Sequence, residues 1–359
     1  MPHTIRNAFD KHLTIESLLD AHERASKTKR YSKEVLKFDI DLESNIVNLY
    51  KKLKNGTYRM GKYRTFKIYE PKERVIRALP YVDRIVHQWY IYEFIKPYVV
   101  PRFINDSYAC IEGKGTHKAV NRAQEYMQKM KNKCGGYYIV KCDIKGFFYN
   151  IDKDILCKIL RRFIKDDKLL ALTYEFIYND GEEVGLPIGN YTSQFFANIY
   201  MNELDHYVKE KLRIKYYVRY MDDFIMFVRT KEEAKNVFLE ISKYVSEVLH
   251  LELNNKSGYY PNKMGLDFCG FRIFESYRLL RKRSIKKIKR KVKRWNLLYE
   301  RGLLDLDKTI LEWNSWLAHS SHGKCYKLQM NIYNKIIFKD YFIINIHLQF
   351  ITLSMRTMS

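Results

Sequence analysis

Cysteine is scarce and scattered. The six residues Cys110, Cys134, Cys142, Cys157, Cys269 and Cys325 contain no C-x-x-C pair, so neither a disulfide framework nor a zinc site is indicated, and a reducing compartment fits. No low-complexity segment or internal repeat is evident among the 359 residues. Long apolar runs are missing as well: Tyr341–Ile351 is too short to span a bilayer and carries Asn345 and His347. The opening residues Met1–Asp10 lack the continuous apolar stretch of a secretory signal, which leads us to expect a cytoplasmic protein with no membrane partner. Acids are the minority charge. Sixty-five Lys and Arg against 41 Asp and Glu leave a formal charge of +24, which favours an anionic partner and nucleic acid first among them. The 30 Tyr and 20 Phe supply both core material and surfaces on which bases can stack.

What is present is organised around Tyr220-Met221-Asp222-Asp223, two adjacent carboxylates between the apolar runs Ile214–Val218 and Phe224–Val228. The runs read as two strands of a hairpin with the acids at its tip. Side chains alternate along a strand, so one acid should face a site and the other should support it. A further acid lies upstream, where the apolar strand Tyr138–Cys142 ends in Asp143 and continues into Ile144-Lys145-Gly146-Phe147-Phe148. An Asp-Asp pair alone is an ordinary surface turn. A strand ending in Asp, followed about eighty residues later by aromatic-Met-Asp-Asp, is far more specific. Carboxylates on neighbouring strand ends are the ligand set of two-metal phosphoryl transfer, because hard Mg²⁺ ions take oxygen ligands and clamp the attacking and leaving oxygens.

Helical periodicity predicts helices over Thr14–Ala25, Asp41–Lys54, Asp83–Tyr98, Ile155–Ile164, Leu169–Tyr178, Phe195–Leu212 and Lys231–His250. Between Tyr58 and Leu79 the pattern alternates and is broken by Glu70-Pro71-Lys72-Glu73, which reads as a basic hairpin. The glycines of Ile111–His117 permit a phosphate cradle or an ordinary turn, and His117 suits a helix start better than a catalytic base. From Arg278 to Arg294, eleven of seventeen residues are Lys or Arg and none is acidic, with Ile285, Ile288, Val292 and Trp295 at helical spacing. That is a packed helix laid along phosphates, or a basic localisation or membrane-surface patch.

In motif order from about Arg74 to Phe271 the chain resembles the reverse transcriptases, most closely those of diversity-generating retroelements. The resemblance implies an α+β right-hand polymerase. Fingers lie within 1–135, a ferredoxin-like antiparallel palm within 136–275 and a basic helical thumb within 276–335, leaving 336–359 with no readable role. It implies that Asp143, Asp222 and Asp223 hold two Mg²⁺, or Mn²⁺ in their place, with the Ile144 backbone carbonyl as a further ligand. Asp143 and Asp222 would bridge the metals, and Asp223 would support the first metal or the turn.

For the incoming dNTP the resemblance implies Arg74, with Lys67 or Lys72 as weaker matches, and an Arg there can grip phosphate oxygens in a bidentate way. Phe147 and Phe148 stand at the sugar, Phe148 crowding the 2′ position, and Ile188, Gly189 and Gln194 at the nascent pair. Lys256 matches a lysine near the leaving pyrophosphate. Phe268, Cys269, Gly270 and Phe271 match the hairpin that grips the primer. Arg281, Lys282, Arg283, Lys286, Lys287, Lys289, Arg290, Lys293 and Arg294 would hold nucleic acid.

Many reverse transcriptases carry Gln-Gly where this chain has Ile188-Gly189, whereas the enzymes of diversity-generating retroelements have an aliphatic residue and end the motif Ser-Gln, as Ser193-Gln194 does. The activity implied is copying of a template RNA into adenine-mutagenised cDNA in a bacterial host, with template RNA, primer, dNTPs and a basic accessory variability determinant protein as partners. A defence-associated or group II intron-type reverse transcriptase is the alternative within the class. A non-catalytic, maturase-like RNA-binding protein is the alternative outside it.

Overall fold

The computed structural model describes residues 4–69 and 73–341. The chain forms two compact units, one made of residues 1–119 and 138–260, the other of residues 120–137 and 261–359. The expected boundary between fingers and palm near residue 135 therefore does not separate compact bodies. Residues 261–275, expected in the palm, group with the C-terminal unit.

The first unit is built on two antiparallel arrangements. Strands β1 (Arg64–Ile68) and β2 (Arg74–Ala78) form the basic hairpin, with Lys67 opposite Val75 and Ile68 opposite Arg74. Strands β3 (Tyr138–Asp143), β4 (Tyr217–Tyr220), β5 (Asp223–Val228) and β6 (Gly258–Pro261) make a sheet of order β4-β5-β3-β6. Its pairs β4–β5 and β3–β5 are antiparallel. Ile139, Val140 and Cys142 of β3 and Phe224, Ile225 and Met226 of β5 are fully buried, which explains why β5 reads as a continuous apolar run after Asp223, while β3 is broken by Lys141. The Lys231–Glu247 helix packs on β3 with Ala234, Ile241 and Val245 inward.

Local chemistry sets most helix starts. Thr14 caps Ile15–Ser26 in a reciprocal capping box with Ser17, and Asp152, Asp166 and Thr230 cap Lys153–Arg161, Asp167–Tyr178 and Lys231–Glu247. The helix expected over Asp83–Tyr98 starts at Tyr81 and is α-helical to Tyr90; it widens to a π turn at Ile91–Ile95 and closes with an α turn over Lys96–Tyr98, the interruption falling just before Pro97, where the missing N–H disturbs the ladder. Likewise the helix after Pro187 runs Tyr191–His206 and ends in a π turn, Tyr207–Lys211.

The second unit holds a three-stranded antiparallel sheet of β7 (Leu266–Phe268), β8 (Phe271–Ile273) and β9 (Arg278–Leu280). Three helices follow, Lys282–Glu300, Leu306–Ser321 and Tyr326–Tyr333, around a core of Ile288, Val292, Trp295, Ile310, Trp313 and Ile332. The basic stretch thus begins as a strand, with the helix starting at Lys282. Among the described residues no helix is long and apolar enough to cross a membrane. The segment Tyr341–Ile351 beyond its first residue, and most of the tail, lie outside the described residues.

Candidate active site

The acids meet because of one register. Asp143, the last residue of β3, pairs directly with Asp223, the first of β5, and Asp223 in turn pairs with Tyr220 at the end of β4. Cross-strand partners share a face, so Asp143 and Asp223 stand side by side on the face that also carries Lys141. Asp222 is not in a strand. It occupies a two-residue turn with Met221, whose φ of 59° is left-handed, as the first position of a tight hairpin turn demands. Simple alternation therefore does not describe the two neighbouring acids, and it is Asp223 rather than Asp222 that lies directly across from Asp143.

Like charges directly opposite on paired strands repel, by roughly 0.2–1 kcal/mol, so this pair is held in place by its surroundings. Lys141 Nζ lies 3.5 Å from Asp223 Oδ1. The Asp143 N–H donates to Ser257 Oγ (3.1 Å), and the Asp143 carbonyl accepts from Asn254 N–H at 2.7 Å. Ile144 N–H donates to the Asp222 carbonyl at 3.3 Å, which ties the end of β3 to the turn. On the opposite face Cys142 is buried, and burial first, then the Asp223 charge, push its thiol pKa up; it stays protonated and is no nucleophile.

Beneath the turn lies a buried polar cluster that sequence reasoning missed. Arg219 is fully buried and donates to both Asp205 oxygens, Nε to Oδ1 at 2.7 Å and Nη2 to Oδ2 at 2.6 Å; Nη1 donates to Asn198 Oδ1 (2.9 Å) and to the Met221 carbonyl (3.0 Å). Tyr217 Oη also donates to Asp205 Oδ1, at 2.7 Å. A lone Arg inside the apolar strand Tyr217–Tyr220 was the signal available for it.

A second constellation surrounds a cavity of about 300 Å³ lined by Val75, Arg77, Phe148, Ile188 and the loop between them. Arg77 N–H donates to the Ile188 carbonyl at 2.9 Å, and Leu186 N–H to the Phe148 carbonyl at 2.6 Å. Gly189, at φ 124°, brings its Cα so close to β2 that an added Cβ would stand 2.9 Å from the Arg77 carbonyl, so glycine is required there. The loop is fastened by Asp180, which accepts from the fully buried Lys153 at 2.6 Å and from Arg77 at 3.1 Å. Phe148 and Ile188 therefore line the same cavity.

Other expected residues are placed differently. Phe147 is 2% exposed; it is a core residue stacked edge-on against Phe148 and cannot touch a sugar. Lys67 and Arg74 fall on opposite faces of the hairpin by register, and Lys67 is paired with Glu73 at 2.8 Å, so the two do not converge on one phosphate. Lys72 lies outside the described residues. Lys114 donates to the carbonyls of Asn105 and Ser107, a loop brace rather than a phosphate cradle. Gln194 is exposed on the first turn of its helix and accepts from Cys110 Sγ at 3.2 Å. Lys256 is exposed in the turn that binds the Asp143 carbonyl through Asn254.

In the second unit, Phe268 and Phe271 are fully buried and belong to the core. Only Cys269 and Gly270 form the hairpin tip, both at positive φ, with Gly270 close against His319. On the Lys282–Glu300 helix, Lys282, Arg283, Lys286, Lys287, Lys289, Arg290, Lys293 and Arg294 are all exposed around the buried seam. Arg281 instead pairs with Asp267.

Acids at the joined ends of antiparallel strands, with an aromatic and an aliphatic residue lining a cavity in the same unit, fit the palm of a template-directed polymerase. The chain belongs to the family described as reverse transcriptase (RNA-dependent DNA polymerase), whose model matches residues 54–273, and its α+β architecture with antiparallel sheets is that of the right-hand polymerases. It is 25% identical over 227 residues to protein YkfC of Escherichia coli K12, covering 51% of this chain and 58% of that one. It is 28% identical over 186 residues to the group II intron-encoded protein LtrA of Lactococcus lactis subsp. cremoris, covering 48% of this chain and 30% of LtrA. The chain thus spans less than two thirds of each. The apo telomerase of Candida tropicalis superposes with a TM-score of 0.46 at 15% identity, over 61% of this chain and 53% of that one.

Reverse transcriptase domains use divalent metal ions. Asp143, Asp222 and Asp223 fit such an ion by chemistry, since all three offer carboxylate oxygens and all are partly exposed at one hairpin end. Among the described residues, no three His, Cys, Asp or Glu side chains are gathered as a ready-made metal cluster.

Proposed function

We propose that the protein is an RNA-directed DNA polymerase, and that in its host it copies a template RNA into adenine-mutagenised cDNA for a diversity-generating retroelement. The observation that carries the polymerase reading is the register pairing of Asp143 with Asp223 beside the Asp222 turn. These carboxylates hold divalent ions, Mg²⁺ in the first instance, which when bound would lower the charge barrier between a primer 3′-hydroxyl and the α-phosphate of a dNTP. Phe148 stands where a bulky ring excludes a 2′-hydroxyl. Ile188 stands where a side chain touches the nascent base pair, and the 300 Å³ cavity they share supports that placement.

The retroelement reading rests on Ile188 in place of Gln and on the Ser193-Gln194 ending. An aliphatic side chain offers no hydrogen bond to align the pair, and discrimination that depended on one polar contact relaxes by about 1 kcal/mol or more. With this reading come a bacterial cytoplasm and the basic accessory variability determinant protein as a partner. A group II intron-type enzyme is the second reading, supported by the similarity to LtrA.

The test is cDNA synthesis by the purified protein, with and without that partner, on one RNA containing all four bases, followed by sequencing. Errors concentrated opposite adenine are expected. Uniform accuracy across the four bases would favour the intron-type reading, and no cDNA under any condition would refute both.

A further inference from the structure

We propose that Arg219, clamped by Asp205 and Asn198, is the positioning residue of the acidic turn: by holding the Met221 carbonyl it keeps the turn in the left-handed conformation that sets Asp222 beside the Asp143–Asp223 pair. The inference rests on the polymerase reading above.

Three observations lead to it. First, Met221 sits at φ 59° without being glycine, a conformation that L side chains leave unless something holds them. Second, the holding contact is present, since Arg219 Nη1 donates to the Met221 carbonyl at 3.0 Å. Third, the holder cannot drift. Its other nitrogens are taken by both Asp205 oxygens and its Nη1 is shared with Asn198. Its backbone is fastened on both sides, the N–H donating to the Asp106 carbonyl at 2.9 Å and the carbonyl accepting from Tyr108 N–H at 3.0 Å. Asn198 is itself anchored, donating to the Ala109 carbonyl at 2.8 Å. A buried ion pair is poorly explained by stability alone, because apolar residues of similar volume commonly do as well; fixing one geometry is the better-attested use.

Lysine in place of arginine keeps a cation for Asp205 but has no second arm for Met221. In Arg219→Lys we expect primer-extension turnover to fall by about tenfold or more, with dNTP KM and template-primer Kd within about threefold of the parent. Adding Met221→Gly should recover turnover several-fold, since glycine adopts the left-handed conformation unaided, while leaving the melting temperature of the single variant unrecovered. A merely structural role predicts the reverse: turnover tracking the melting temperature, with no recovery on adding glycine. That result, or full turnover in folded Arg219→Lys, overturns the proposal.

Should Arg219→Lys fail to fold, Asn198→Ala retains the ion pair and carries the same expectations at smaller amplitude. Should the parent itself make no cDNA, the polymerase reading fails on its own. Hydrogen exchange then decides this inference. The Asp222 and Asp223 amides should exchange about tenfold faster in the variant while those of Ile225 and Phe227 are unchanged, and equal exchange at the tip would overturn it.

Discussion

His87 shows how a single buried residue sets a pH limit. Its ring is fully enclosed, Nδ1 lies 3.1 Å from Thr192 Oγ1 and the face packs on Phe176 at 4.5 Å. Burial holds its pKa down at about 3. The folded chain therefore refuses a proton that the unfolded chain accepts near 6.5, so stability is complete above that value and declines as the pH falls towards 3. In urea titrations His87→Leu should flatten the acid side of the stability profile, removing a slope on the order of 1.4 kcal/mol per pH unit below about 6. A variant profile parallel to the parent's would assign the acid sensitivity elsewhere. On the proposed reading, Ile188 bears on accuracy rather than rate. Ile188→Gln should lower misincorporation opposite adenine by about fivefold while extension continues, read by sequencing cDNA from both proteins made on one RNA. Unchanged error in an active variant would remove Ile188 from base selection.

At this scale the acids were legible, because a strand ending in Asp and an aromatic-Met-Asp-Asp turn are local patterns. Their relative placement was not legible, because it depends on where the turn begins. Alternation holds only inside strands, and Asp222 lies outside one. Phe147 and Phe148 illustrate the same limit, since adjacent aromatics look equivalent until packing buries the first.

Among the elements, periodic apolar faces made the helices easy to place, and caps fixed several starts to within a residue or two. What the sequence hid were the π turns after Tyr90 and His206 and the conversion of Arg278–Leu280 into a strand, each of which answers to neighbouring elements rather than local propensity. The cluster of Arg219, Asp205 and Asn198 was hidden for a like reason, since its members are brought together only when the chain turns back from the Tyr191–His206 helix into β4. The Lys282–Glu300 helix carries the prediction proper to this scale. Its exposed cations surround a seam of Ile288, Val292 and Trp295, so neutralising Lys286, Lys289, Arg290 and Lys293 leaves the packing untouched. Binding of RNA–DNA duplex should weaken for every sequence alike, and the slope of log K against log salt should flatten by roughly 0.9 for each phosphate no longer neutralised. A slope equal to the parent's would move the duplex to another surface.

For the whole molecule, the excess of 24 positive charges and the match of residues 54–273 to the reverse transcriptase family point the same way. Charge supplies sequence-independent attraction for nucleic acid, while the acids at the joined ends of β3 and β5 supply a concentrated anionic point to which cations are drawn. The division into two compact units was not legible, because residues 120–137 join the C-terminal unit from a distant part of the chain, and a linear reading has no way to see that return. Binding and chemistry are therefore separable by mutation, and Asp143→Asn provides the most direct measurement. It removes one carboxylate charge while keeping size, the Ser257 hydrogen bond and the basic surface. Extension of a DNA primer on RNA with Mg²⁺ and dNTPs should fall by at least about a thousandfold, with template-primer affinity and melting temperature near those of the parent. Extension at the parental rate by the folded variant would contradict the account.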